Sequence, residues 1–386
     1  MVIAELQVLR AIAVCMVLVQ HMPLNVVGLD TGVGYFLVQY WDGGSGVDLF
    51  FCISGFVIAR GLLPRLQACR SLSAYAAQTL TFFVHRFWRL QPSALVWIVI
   101  PITIGLVFNR SGAFHGVRAN LAAALSAVFA VYNFRFARLF GFGDGGIIFP
   151  YWSLSLEEQF YFLLPLVTYL CGRRLEAAMA GILSYQFFMP HGMVYVTTRP
   201  GAIALGVLLA IWSAEPGAGS MAPMLSRVPG FVRTILLWTA VFVLGILKSK
   251  SISPLIPAPY GVVALVSGFL VYVGSLDSGY LMAPGAVRSV LDWIGTRSFA
   301  IYLTHVPVYA FVLELYARVR PQGSFASVAG KLIFVAVALL GIAVLSDWNY
   351  RTIEVPLRRY GKAIAFRSTG KGVRLEIGSR RSLSRL

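Results

Sequence analysis

The chain has 386 residues, 58% hydrophobic and only 12% charged, with a net charge of +17 from 32 basic and 15 acidic side chains. A soluble domain carries about 25% charged residues, so this composition excludes a soluble globular enzyme and a disordered chain and points to a polytopic membrane protein. The apolar runs are continuous, as at 95–107 and 202–211, which also excludes the alternating strands of a membrane barrel.

The sequence predicts spans at about 4–22, 46–62, 89–108, 152–171, 175–190, 199–213, 230–247, 257–275, 292–316 and 328–347. The first stretch contains Glu5 and Arg10 and no clear small-residue cleavage site, so it reads as a retained helix rather than a signal peptide. Arg60, Arg65, Arg70, Arg86 and Arg89, then Arg173 and Arg174, then the basic segment 351–386 should all face the cytoplasm. Only an even number of crossings fits between 89 and 173, so the short apolar segment 120–132 is expected to be re-entrant or interfacial and buried against protein. The fold class is therefore all-α: a bundle of about ten spans plus one short helix, with both termini cytoplasmic. Residues 1–360 form the membrane domain and 361–386 a basic, flexible cytoplasmic tail.

The basic excess lacks the basic and aromatic pattern of a nucleic-acid module. Cys15, Cys52, Cys69 and Cys171 have no CxxC spacing, and the five histidines have no HxH or HExxH spacing. Neither a disulfide framework nor a metal site is expected.

Ionisable residues inside spans are costly and usually face a bundle interior or a watery cavity. In the first helix Arg10 and His21 stand eleven residues apart, about three turns and about 16 Å along one face. A neutral imidazole can take a proton from a hydroxyl; an interfacial histidine and a snorkelling arginine give the same pattern. In the glycine-rich segment 43–58, Asp48 falls at the depth of His21, where it would orient the imidazole or cap its helix. Arg86 and Arg89 share a helical face at the inner end of a span, suited to phosphate or simply setting topology. Glu157 and Glu158 point about 100° apart, so at least one faces inward, with Arg10, Arg199 or His21 as a partner that would offset desolvation. Arg199 opens a span at the outer side. His305, two residues before the kinking Pro307, would line a cavity or donate to a carbonyl the proline frees.

Taken together, these segments resemble the acyltransferase-3 family of integral membrane O-acyltransferases. The matching pieces are Leu9-Arg10 through His21, Gly-Val-Asp-Leu-Phe-Phe at 46–51 with Ser-Gly-Phe at 54–56, and Arg-Phe-Trp-Arg-Leu-Gln-Pro at 86–92. They continue with Trp-Ser-Leu-Ser-Leu-Glu-Glu-Gln-Phe-Tyr at 152–161, Tyr-Leu-Thr-His at 302–305 and Tyr-Arg-Thr-Ile-Glu-Val-Pro at 350–356. The Trp-Ser-Leu-x-x-Glu-Glu-Gln-Phe-Tyr run is the most specific.

The resemblance implies transfer of an acyl group, acetyl first, from cytoplasmic acyl-CoA to a hydroxyl of an extracytoplasmic glycan or glycolipid such as lipopolysaccharide, in a bacterial inner membrane. No permanently bound cofactor is implied; acyl-CoA is a co-substrate. By position, His21 is the base, Arg10 an oxyanion donor, and Glu157 or Asp48 the group that stabilises the imidazolium. Arg86 and Arg89 hold the CoA phosphates, while Trp152, Glu158, Arg199 and His305 are expected around the acceptor. The route is direct transfer or an acyl-histidine relay. The pattern departs from the family at Leu90, where isoleucine is usual, and at Val306, where tryptophan is common. The C-terminal esterase-like domain of some members is not expected here. The rival reading is a transporter or flippase of a lipid-linked glycan, using the same buried charges for gating.

Overall fold

The computed structural model describes residues 3–23, 26, 32–188, 192–215, 227–281, 285–319 and 327–369. Among these residues every regular element is helical. In chain order they are α1 (Ala4–Gln20), α2 (Gly32–Gln39), α3 (Ser45–Gln67), α4 (Leu72–Val107), α5 (Val117–Val128), α6 (Tyr132–Leu139), α7 (Tyr151–Cys171) and α8 (Leu175–Phe188). There follow α9 (Met193–Thr198), α10 (Gly201–Trp212), α11 (Gly230–Ile246), α12 (Pro259–Ser275), α13 (Gly285–Val319), α14 (Val328–Asn349) and α15 (Val355–Thr369), with a π turn at Tyr350–Glu354. Five stretches are long and apolar enough to cross a membrane: α3, α4, Met193–Trp212, α13 and Val328–Ala365. The protein is a polytopic helical membrane protein. All ten expected spans coincide with helices, several of them shorter than the spans drawn from hydropathy.

Side-chain contacts fix which ends lie together. At one end, Glu5 on α1 accepts from the Leu281 N–H, just before α13. There Tyr75 near the start of α4 donates to the Pro165 carbonyl of α7 at 2.6 Å. At the other end, Gly43 before α3 donates to Gln20 at the close of α1 (2.8 Å). Asp42 donates through its backbone to Gly245 at the close of α11 (2.7 Å), and Glu314 on α13 accepts from Arg110 N–H beyond α4 (2.8 Å). These contacts set the directions of α1, α3, α4, α7, α11 and α13, and bring Arg65 and Arg70, where α3 gives way to α4, to the first end.

The segment 120–132 falls where α5 ends and α6 begins. With 12 residues, α5 is only about 18 Å long, too short to cross a core of about 30 Å. Burial against protein holds for one face alone. Asn120, Ala123 and Ala127 are buried, whereas Leu121, Leu125 and Phe129 are exposed, an apolar stripe suited to lipid. Asn120 locks the segment by donating to the Phe114 carbonyl (2.7 Å) and accepting from Ile147 N–H (2.8 Å). In the loop beyond α6, burial acts to raise the Asp144 carboxyl, but the Gly116 and Gly146 N–H groups and His115 outweigh it and hold it below the usual range.

At the other boundary, α15 runs through residue 361, where the tail was expected to begin, and packs Gly361 against Trp88 of α4. Its register is set by the Tyr360 ring meeting Trp88 edge-on at 4.8 Å. The remainder of the expected tail, from 370 on, lies outside the described residues.

The helices nearest the site cross at glycines. A Cβ on Gly55 of α3 would collide with the Ile203 carbonyl of α10, and one on Gly206 of α10 with the Cys52 carbonyl of α3. Small residues are what allow such backbone approach. Gly206→Val should therefore lower the thermal midpoint of the detergent-solubilised protein, by a strain of about 1–3 kcal/mol or more. Gly181→Val, at a position facing open space, should leave it nearly unchanged.

Candidate active site

Two adjoining cavities define the site. The inner one, about 720 Å³ with the open space at its mouth, is lined by Arg10 from α1, Ser54 from α3, Arg86 and Arg89 from α4, Ser153, Glu157 and Tyr161 from α7, and Tyr302 from α13. The adjoining cleft, about 1120 Å³, shares Val57, Arg86 and Arg89 with it and adds Arg65, His85, Arg358 and Lys362. A basic cleft between α3, α4 and α15 thus adjoins a cavity inside the bundle.

Helical spacing explains who faces these cavities. Arg86 and Arg89 lie three apart on α4, and Ser153, Glu157 and Tyr161 four apart on α7, so each set shares a face. Glu157 accepts from the Ser54 and Tyr161 hydroxyls. The Arg86 guanidinium lies 4.9 Å from the centre of the Tyr161 ring, within cation–π range. Arg10 is within electrostatic reach of Glu157, Arg86 and Arg89. With its amide oriented to satisfy both partners, Gln7 accepts from Arg10 Nη1 at 2.9 Å and donates to the Gly295 carbonyl at 3.3 Å. That bridge ties Arg10 to α13.

Past the cavity stands a histidine pair. His21 closes α1 as its C-cap (φ −94°, ψ 4°) and is partly exposed. Its Nδ1 lies 2.8 Å from Nε2 of His305. His305 is fully buried, and its Nδ1 lies 2.7 Å from the carbonyl oxygen of Tyr302, the residue whose side chain lines the cavity. Phe149 meets the His21 ring edge-on at 4.9 Å.

Several expectations change at this point. Asp48 neither orients His21 nor caps α3. It is buried and accepts from Arg199 Nε (2.7 Å) and Nη2 (3.1 Å) and from Lys248 Nζ (2.9 Å). A carboxylate withdrawn from water needs cations around it, and the segments just before α10 and just beyond α11 supply them. Neither it nor Glu157 touches the imidazole; the neighbour of His21 is His305. The glutamates are satisfied without an arginine or histidine ion pair, Glu157 by hydroxyls and Glu158 by the Gln91 amide at 2.7 Å. His305 does not border either cavity. Its acceptor is the Tyr302 carbonyl, not that of Leu303, whose helical donor Pro307 removes. Arg199 is 2% exposed and lies 5.1 Å from the Trp152 ring centre, and Trp152 stacks on Phe136 at 6.3 Å. Both are enclosed side chains that brace the site from behind.

Sequence reasoning assigned no role to Ser54, Tyr161, Ser153, Tyr302, Gln91 or Lys248. Ser153 and Tyr302 hydroxyls lie 2.6 Å apart. A signal existed for some of them: Tyr161 and Ser153 stand one turn to either side of Glu157, and a carboxylate in an apolar helix draws its partners from that face.

The Acyltransferase domain family matches residues 3–347. Among curated proteins, the chain is 27% identical over 371 residues to the peptidoglycan O-acetyltransferase OatA of Listeria monocytogenes, covering 88% of this chain and 55% of that protein. It is 27% identical over 390 residues to the O-acetyltransferase OatA of Staphylococcus aureus, covering 94% and 58%. The chain thus spans little more than half the length of these relatives. No solved structure matches.

Proposed function

The chain belongs to the Acyltransferase domain family, and on that premise we propose that it is an integral membrane O-acetyltransferase acting on a glycan. The observation that carries this reading is the pair of adjoining cavities that share Arg86 and Arg89, one basic and one reaching Tyr302, whose carbonyl holds the His305 that meets His21. The basic end is cytoplasmic by the excess of arginine there, which puts both termini inside and His21 toward the outer face of a bacterial cytoplasmic membrane.

The donor is acetyl-CoA. Its phosphates lie at Arg86 and Arg89, whose forked guanidinium groups match phosphate oxygens, and its narrow pantetheine arm extends into the inner cavity. Acetyl is the favoured group because the relatives are named O-acetyltransferases, and a glycan is the favoured acceptor because one of them is named for peptidoglycan. The acceptor hydroxyl arrives from the outer face. Its oxygen attacks the thioester carbonyl while His21 takes its proton. The carbon–sulfur bond then breaks and the proton passes to the departing thiolate, giving an O-acetyl ester and free CoA. Arg10, held by Gln7, can stabilise negative charge on the carbonyl oxygen as it develops.

Replacing both Arg86 and Arg89 by alanine should raise the KM for acetyl-CoA and leave kcat comparatively little changed. Each charge-assisted hydrogen bond contributes about 1.5–3 kcal/mol, so the rise should be about tenfold or more. Unchanged KM, measured in membranes with labelled donor, would confine these arginines to topology.

A further inference from the structure

We propose that His305 is the positioning residue that sets which nitrogen of His21 is free to accept a proton; this rests on the reading of His21 as the base. The Tyr302 carbonyl faces Nδ1 of His305. A carbonyl oxygen can only accept, so Nδ1 of His305, 2.7 Å away, carries a hydrogen. The groups facing His305 are Tyr302, Tyr309 and His21; none offers a negative charge to a buried imidazolium, so the ring is neutral. A neutral imidazole protonated at Nδ1 has a bare Nε2. That Nε2 stands 2.8 Å from Nδ1 of His21, so His21 must donate there and leave its own Nε2 with a lone pair.

The ring geometry agrees. The two centroids are 5.1 Å apart and the planes differ by 12°. The nitrogen–nitrogen distance plus the two ring radii accounts for that centroid separation. The rings therefore lie edge to edge in nearly one plane, the geometry of a hydrogen bond rather than of stacking. Nε2 of His21 has no hydrogen-bond partner among the described residues, and it belongs to a ring that is partly exposed. Packing preserves the arrangement: Tyr309 donates to the Leu18 carbonyl of α1 at 3.1 Å, pinning α13 beside the end of α1. The carbonyl, His305 and His21 form a relay of orientation from α13 to α1, with the base at its outer end. Such an orienting partner fixes the tautomer of a catalytic imidazole without touching substrate.

The test compares two amides. Glutamine extends far enough to present an acceptor oxygen near the place of Nε2, whereas asparagine reaches only the place of Nδ1. We would measure acetyl transfer from labelled acetyl-CoA into envelope glycan in membrane vesicles carrying wild type, His305→Gln, His305→Asn, His305→Leu or His21→Ala at equal protein levels. Apparent kcat, donor KM and donor affinity would be read for each.

The inference expects His305→Gln to retain kcat within about tenfold. His305→Asn and His305→Leu should lose on the order of 100-fold or more with donor KM unchanged, since His305 borders neither cavity. Equal activity of His305→Asn and His305→Gln, or loss in His305→Gln as deep as in His305→Leu, would overturn it. Near-normal transfer by His21→Ala would instead overturn the base reading on which it rests. If His305→Leu fails to accumulate, the Gln and Asn pair decides, with donor affinity reporting that each is folded.

Discussion

Replacing Asp48 by alanine is expected to remove most of the folded protein. Asp48 is fully buried and is the shared counter-charge of two cations on separate elements, Arg199 at 2.7 Å and Lys248 at 2.9 Å. Without it, Arg199 keeps the Val196 carbonyl and the faces of Trp152 and Tyr260 but loses its bidentate carboxylate in a setting 2% exposed, with Asp42 left to act on it only at longer range. Breaking a buried pair by deleting one partner costs about 3–5 kcal/mol. Lys248→Met should cost far less, because the bidentate pair between Asp48 and Arg199 survives it. Heating the detergent-solubilised variants and following the monodisperse fraction checks the ordering: Asp48→Ala well below Lys248→Met, and Lys248→Met close to wild type. An Asp48→Ala variant as stable as wild type would mean that the cluster is not a structural tie.

The second large effect is on chemistry alone. His21→Ala should insert normally, since its side chain is partly exposed and meets only His305 and Phe149 in described contacts. Transfer should nonetheless fall on the order of 10²–10⁴-fold, the usual contribution of a positioned base. Because His305 acts through His21, adding His305→Leu to His21→Ala should lower the rate little further, as expected of groups acting as one unit. A large additional loss in the double variant would separate the two histidines functionally. Donor affinity should stay near wild type in both, since neither histidine borders the basic cleft.

Much of this architecture was legible in the sequence, for a simple reason. A membrane span must satisfy its backbone internally and be apolar over its length, so hydropathy locates helices such as Ser45–Gln67 and Val328–Asn349 directly. Parity of crossings between the arginine clusters led to a short non-crossing segment at 120–132, and α5 has only 12 residues. Helical spacing placed Arg86 and Arg89 on one face, and the cost of burying charge turned one of Glu157 and Glu158 inward; that they meet Arg10 in one cavity is seen only in the structure.

What sequence could not supply was pairing across helices. Asp48 and His21 share a depth along the bundle, which made them look like partners, but depth does not give azimuth: Asp48 faces α10 and α11, whereas His21 faces α13. Lys248 and Arg199 lie 200 and 151 residues from Asp48, and no periodicity connects them. His305 lies 284 residues from His21, and only the packing of α13 on α1 joins them. Likewise the resemblance set Trp152 and Arg199 near the acceptor without giving their neighbours: Trp152 lies against Phe136 and Arg199, and Arg199 pairs with Asp48.

On the proposed function, an acetyl group passes from a donor in the basic cleft to a glycan hydroxyl beyond His21. The most direct measurement is mass spectrometry of envelope glycans from cells expressing wild type or His21→Ala at equal membrane levels. The account predicts an acetyl increment on glycan hydroxyls with wild type alone, and equal glycan amounts in both. A change in glycan amount with no acyl increment in either would contradict it and point to transport of the glycan rather than its modification.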